Sequence, residues 1–146
     1  MTTLKMFLSS LFLLSIFSWK NEATQPLLLE VENIEVAKGH IWFGVYDSEQ
    51  SFLNEEKAVA IFGEAVKKEG TLQIKFDQIP FGTYAIAVFH DVNNNGTLDQ
   101  TFVGIPKEPF AFSQTLRSKW RAPEYEEMKF SFRQANQKLK FKLESW

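Results

Sequence analysis

Cysteine is absent from the 146-residue chain. That excludes disulfides, thiolate catalysis, cysteine-ligated metal sites and a lipid-modified cysteine behind a leader. Histidine is scarce: His40 and His90 are the only two. Nothing in the sequence places them together, so a zinc site lacks support. A charge excess of one sign is also missing, since 16 Lys and Arg face 18 Asp and Glu for a net −2. No basic surplus points to nucleic acid or to an anionic membrane surface. Long helical periodicity is lacking, and so is an apolar run able to cross a bilayer. The run from Met6 to Phe17, behind Lys5, has instead the length of a signal-peptide core.

Residues 1–23 are therefore expected to be a cleaved signal peptide, with Ser18 and Ala23 as candidate cleavage points. Residues 24–146 are expected to form a single domain. The implied location is a bacterial periplasm or the cell exterior, with no stable membrane span after cleavage.

What the chain does have is apolar surface: 45% of residues are hydrophobic and 15 are Phe. That is enough for one good core and argues against disorder. Period-two alternation dominates after the leader. Leu72, Ile74 and Phe76 alternate with Gln73, Lys75 and Asp77. Met128, Phe130 and Phe132 alternate with Lys129, Ser131 and Arg133, and Leu139, Phe141 and Leu143 with Lys138, Lys140 and Lys142. Ile41 to Tyr46 and Tyr84 to Phe89 are apolar on both faces, as central strands are. The first strand, Leu27 to Val36, shifts parity between Val31 and Ile34, which predicts a bulge near Glu32 and Asn33. Turn signals fall at Lys38-Gly39, Glu69-Gly70, Pro80-Phe81-Gly82 and Ala135-Asn136. Residues 48–62 have room for one short helical turn, anchored by Phe52 and Leu53. About seven strands without a long helix give an all-β, antiparallel β-sandwich. Residues 91–126 are too long for a hairpin connection and too aromatic for disorder, so they form one long ordered loop excursion.

Most of the chemistry sits in that excursion. Asp91, Asn93, Asn95, Gly96, Thr97 and Asp99 follow D-x-N-x-N-G-x-x-D, the spacing of the first nine positions of a calcium loop. Asp91, Asn93, Asn95 and Asp99 would supply side-chain oxygens, Thr97 its backbone carbonyl, and Gly96 the sharp turn. Phe102 stands where such a loop carries its twelfth-position Glu, leaving Glu108 as a candidate to complete the set. With two carboxylates the expected affinity is weak, roughly 10⁻⁴ to 10⁻³ M. The competing reading is an Asx-rich turn that caps its own backbone, and it accounts well for Asn94-Asn95-Gly96. Asn94 falls at a non-ligand position in either case.

The segment Gly82-Thr83-Tyr84-Ala85-Ile86-Ala87-Val88-Phe89-His90-Asp91, the Asn-rich turn, Leu98-Asp99 and Gly104-Ile105-Pro106-Lys107-Glu108 together resemble the bacterial Domain of Unknown Function 2141 family. The resemblance runs from about Leu28 to the C-terminus and is specific between Gly82 and Ser113. It implies export and a transthyretin-like or immunoglobulin-like sandwich that binds or scaffolds. Pro109 stands where the family commonly has Gly. Gln114-Thr115 replaces its usual Asn residues.

Function is less constrained. Asp91, Asp99 and Glu108 are carboxylates of the kind that glycoside hydrolysis uses, and Ser113 with His90 could be nucleophile and base. Neither has a diagnostic spacing, so the balance is against an enzyme. His90, at a strand end, reads as a hydrogen-bonded structural residue. Phe102, Phe110, Phe112, Trp120 and Tyr125 are either an aromatic platform or, as expected here, a seal over the open end of the core. The favoured reading is an exported binding or accessory module, calcium-ordered, whose partner is a glycan or peptide of the envelope. The alternatives are an envelope hydrolase and a structural subunit of a surface assembly.

Overall fold

The computed structural model describes residues 23–146, so the expected signal peptide lies outside the described residues apart from Ala23. Among these residues eight strands form two facing sheets, a β-sandwich. The strands are β1 (Gln25–Ile34), β2 (His40–Tyr46), β3 (Ala60–Ala65), β4 (Gly70–Ile79), β5 (Gly82–Asp91), β6 (Phe110–Phe112), β7 (Phe130–Phe132) and β8 (Gln137–Lys142). One sheet runs β4-β1-β8. The other runs β3-β2-β5-β6, and β7 pairs antiparallel with the start of β5, Gly82 to Tyr84. A single helical turn, α1 (Tyr125–Met128), precedes β7. No helix among the described residues is long and apolar enough to cross a membrane.

Alternation builds the core as expected. Leu27, Leu29 and Val31 of β1 face Ile41, Phe43 and Val45 of β2 and Ile86 and Val88 of β5, all buried. A column of rings joins the layers. Phe43 stacks on Phe62 with centroids 4.7 Å apart, and Phe62 on Phe76 at 4.5 Å, while Phe141 meets Phe43 edge-on. Such ring pairs add about 0.5–1.5 kcal/mol beyond area burial. The parity shift in β1 is a bulge between Val31 and Ile34. Asn33 there takes φ 67° and ties to the Leu143 carbonyl at 2.9 Å.

Three features depart from the expected plan. First, β3 reads poorly because it is an edge strand whose one large inward side chain is Phe62. Second, β1 and β8 pair in parallel, not antiparallel. They come from opposite ends of the domain, so no hairpin dictates their direction. Third, the excursion is not one loop: β6 pairs Phe110, Ala111 and Phe112 with Phe89, Val88 and Ala87 and divides it. Residues 48–62 hold a short 3₁₀ turn at Glu55–Lys57, capped by the Asn54 side chain. Phe52 anchors it against Tyr46 and Tyr125, whereas Leu53 faces solvent.

The parallel register brings opposite charges together across β1 and β8. Glu30 lies between Gln73 of β4, 2.6 Å away, and Lys140 of β8, at 2.8 Å, with Lys138 at 3.7 Å. The Lys140 ammonium, then the Gln73 amide, hold its carboxyl down at about 2, against an ordinary 4.5. The folded state therefore favours the ionised form. That stabilisation is complete above about pH 4.5 and is lost as pH falls towards 2. Arg121 lowers Glu127 to about 2 in the same way, so it acts over the same window. In urea titrations across this window the wild-type midpoint should fall with pH. Glu30→Gln should flatten that fall, and a parallel decline in both proteins would remove Glu30 as its source.

Candidate functional site

Strand β5 ends in Asp91, and its antiparallel neighbour β2 fixes what lies beside it. His40 pairs with Asp91, and Trp42 with Phe89. The alternation of β5 sends His90 inward and Asp91 to the outer face, where it is nonetheless 1% exposed. Its carboxylate is caged. Oδ1 accepts the Asn95 N–H at 3.0 Å; Oδ2 accepts the Gly96 N–H at 2.8 Å and the Trp42 Nε1–H at 3.2 Å. Burial pushes the Asp91 carboxyl up. The N–H groups of Gly96, Asn95, Trp42 and Asn94 outweigh it and leave the carboxyl below the ordinary range.

The loop turns back on this cage because Asn94 and Gly96 take φ 64° and 80°, left-handed values that Asn and Gly tolerate best. Asn93 Oδ1 accepts the Asn95 N–H, and Asn95 Oδ1 accepts the Thr97 N–H at 2.9 Å and its hydroxyl at 3.1 Å. Both Asn amides donate to Asp99: Asn93 Nδ2 to Oδ2 at 2.5 Å, and Asn95 Nδ2 to both oxygens at 3.2 Å. Thus Asp91, Asn93, Asn95, Thr97 and Asp99 meet in one hydrogen-bonded ring. Glu108 joins from the far side. Its Oε1 accepts the Val92 N–H at 3.0 Å and its Oε2 the Asp99 N–H at 3.1 Å, so it clamps both ends of the loop.

Among the described residues no three His, Asp or Glu side chains cluster as a metal-ligand set. A cation here would lean on amide and backbone oxygens, which suits calcium rather than a transition metal. Asn93 Oδ1 has a second lone pair beyond the one its backbone donor uses, and Asn95 Oδ1 would gain one for a cation if the Thr97 hydroxyl turned away. The Asx-turn and calcium-loop readings are therefore compatible.

Two residues missed in the sequence belong to this site. Trp42 holds Asp91, and His40 Nδ1 meets Asn94 Oδ1 at 2.5 Å, giving the non-ligand Asn94 a structural role. Only their alternation with Ile41 and Phe43 could have marked them as outward-facing. The aromatics divide. Phe110 and Tyr125 are buried and Phe112 packs on Phe52, but Phe102 and Trp120 are fully or almost fully exposed, correcting the expected seal. The reason for Phe102 is local: Thr101 and Ile105 bond backbone to backbone, which leaves Phe102 at the tip of a tight turn. Ser113 and His90 are not brought together. Ser113 Oγ bonds the Ile86 N–H and the Met128 carbonyl, while His90 Nε2 donates to the Lys38 carbonyl at 2.8 Å.

The cage makes the two aspartates unequal. In chelator, Asp91→Ala should cost at least about 2 kcal/mol, because it strands buried donors, whereas Asp99→Ala should cost less than about 1 kcal/mol. Urea unfolding measures both. Equal losses would mean that Asp91 does not anchor the loop.

The family whose model matches the chain is described as uncharacterised protein conserved in bacteria, and the match covers residues 29–140. No curated protein and no solved structure matches. The matched span holds the strands β2 to β7, the caged Asp91 and the Glu108 clamp, and the chain belongs to the Domain of Unknown Function 2141 family.

Proposed function

We propose that this protein is an exported accessory module of the bacterial envelope whose Asp/Asn loop binds calcium weakly. The observation that carries this reading is the convergence of Asp91, Asn93, Asn95 and Asp99 in nine residues, closed at both ends by Glu108. Asp91, Asn93, Asn95 and Asp99 would hold the ion through side-chain oxygens, and Thr97 through its backbone carbonyl. Glu108 would act mainly as the brace, since its two oxygens reach the Val92 and Asp99 N–H groups at opposite ends of the loop. The metal's contribution would be charge: it would offset the repulsion between Asp91 and Asp99 that otherwise loosens the turn. The consequence is mechanical. One end of the loop is continuous with β5 and therefore rigid, while residues 92–109 are held chiefly by polar contacts. A filled site would fix the position of that whole segment.

In about 1 mM calcium the domain should gain about 1.4 kcal/mol if Kd is roughly 10⁻⁴ M, or about 0.4 kcal/mol if it is roughly 10⁻³ M. Melting should rise by a few degrees at most. Asp99→Ala should abolish the gain. Chelation should speed hydrogen exchange in residues 92–109 and leave β4 and β7 protected. Identical melts in calcium and chelator, with no heat of binding, would remove the metal from this reading.

Export is checked separately. Intact-mass measurement of protein from the envelope fraction should find a mature start between Trp19 and Gln25. A chain beginning at Met1 there would identify an uncleaved anchor instead.

A further inference from the structure

Trp42, Trp120 and Trp146, all the tryptophans among the described residues, line a single cleft. It lies on the outer face of the five-stranded sheet and holds about 770 Å³, within the usual range of small-molecule sites. On its floor the Tyr46 ring lies over Gly44, which has no side chain to obstruct it, beside the small Ala87 that pairs with Gly44 across β2 and β5. One wall comes from the end of the Asp/Asn loop and the segment that follows it, including Leu98, Val103 and Ile105.

The tryptophans are set as surfaces. Trp42 pairs with Gly63 of β3, and a Cβ placed on Gly63 would meet three carbons of the indole at 2.8, 2.9 and 3.0 Å. Near-equal distances mean that the ring lies broadside over the glycine, with its other face turned away from the strand. The bond from Nε1 to Asp91 fixes its rotation. Trp120 is 92% exposed and Trp146 44%, and their rings meet edge to face at 6.4 Å and 87°. Indoles left this bare are costly in water and mark a binding surface.

Charge narrows the ligand. Both cations of the cleft are already engaged: Lys119 lies 3.5 Å from Glu144, and Arg121 is 2.7 Å from Glu127. With those partners and the Glu55 carboxylate that also lines the cleft, there is no excess of positive charge to draw an anionic ligand. Thr97, Gln100 and Ser118 add neutral hydroxyl and amide groups. Flat apolar faces beside neutral hydrogen-bonding groups match a ligand with the same alternation. We propose that this cleft binds a neutral oligosaccharide, its sugar rings stacked on Trp42 and Trp120 and its hydroxyls bonded to those polar groups. Proline-rich peptides also use aromatic grooves. The broadside indole and the right-angled Trp pair make a platform with a corner, which suits a ring better than an extended helix.

The test uses the mature protein, a neutral glycan array, and titrations with chitohexaose, cellohexaose and maltohexaose read by tryptophan fluorescence and calorimetry. At least one glycan should bind and change tryptophan emission. Trp120→Ala, at an exposed position, should weaken that binding about tenfold or more. Gly63→Ala, which displaces the Trp42 ring, should do the same while near-ultraviolet circular dichroism reports the displacement. Titrations in calcium and in chelator separate this site from the metal: sugar binding in both, without calcium heat, keeps the cleft and removes the ion. Three outcomes overturn the proposal: no neutral glycan binds, a proline-rich peptide binds in its place, or both variants bind sugar as the wild type does.

Discussion

The buried carboxylate of Asp91 is the constraint on which the functional end of this molecule depends. A carboxylate with almost no exposure is tolerated only if its lone pairs are used. Here they are used by the Asn95 and Gly96 amides and by the Trp42 indole. One group thereby determines where β5 stops, how the next residues turn and how an indole lies on the neighbouring strand. The depressed pKa follows from the same donors, which favour the charged form more than burial opposes it.

Strand β5 is the mechanical base for this arrangement. Its inner face supplies Ile86, Val88 and His90 to the core, and its outer face carries Ala85, Ala87, Phe89 and Asp91. Along its outer face the environment changes. Ala85 is covered by Tyr125 and Met128, which pack there with Phe52 and Leu116, whereas Ala87 and Phe89 open into the tryptophan cleft. Small side chains permit both: a helix can approach closely at one end, and a flat floor remains at the other.

Loop and cleft are consequently parts of one construction. Glu108 ties Val92 to Asp99, and the cleft-wall residues Val103 and Ile105 lie between Asp99 and that clamp, just ahead of β6. Movement of residues 92–109 would change both the polar ring and one side of the cleft. A cation bound as proposed would therefore bear on the cleft as well, through Thr97 and the segment behind it. A few tenths of a kcal/mol to about one is enough to shift a segment held mostly by exposed hydrogen bonds.

Local physics was legible in the sequence. Alternation located β4, β7 and β8; runs apolar on both faces located β2 and β5; the parity slip at Glu32-Asn33 located a bulge in β1; and the Asn-rich stretch ending in Gly96 marked a sharp turn. The spacing of Asp91, Asn93, Asn95 and Asp99 gathered them correctly, since Asx side chains cap residues a few positions away. Other features were decided only by tertiary structure. The parallel match of β1 and β8 sets Glu30 against Lys140 across 110 residues of chain. The edge strand β3 gains its place from the partner it finds in β2, and Trp42 meets Asp91 only through the register of β2 on β5. Phe102 and Trp120 read no differently from Phe110 and Tyr125, yet the first two are bare and the others buried. Hydrophobicity says which residues prefer to leave water. Long-range strand register decides which of them there is room to cover.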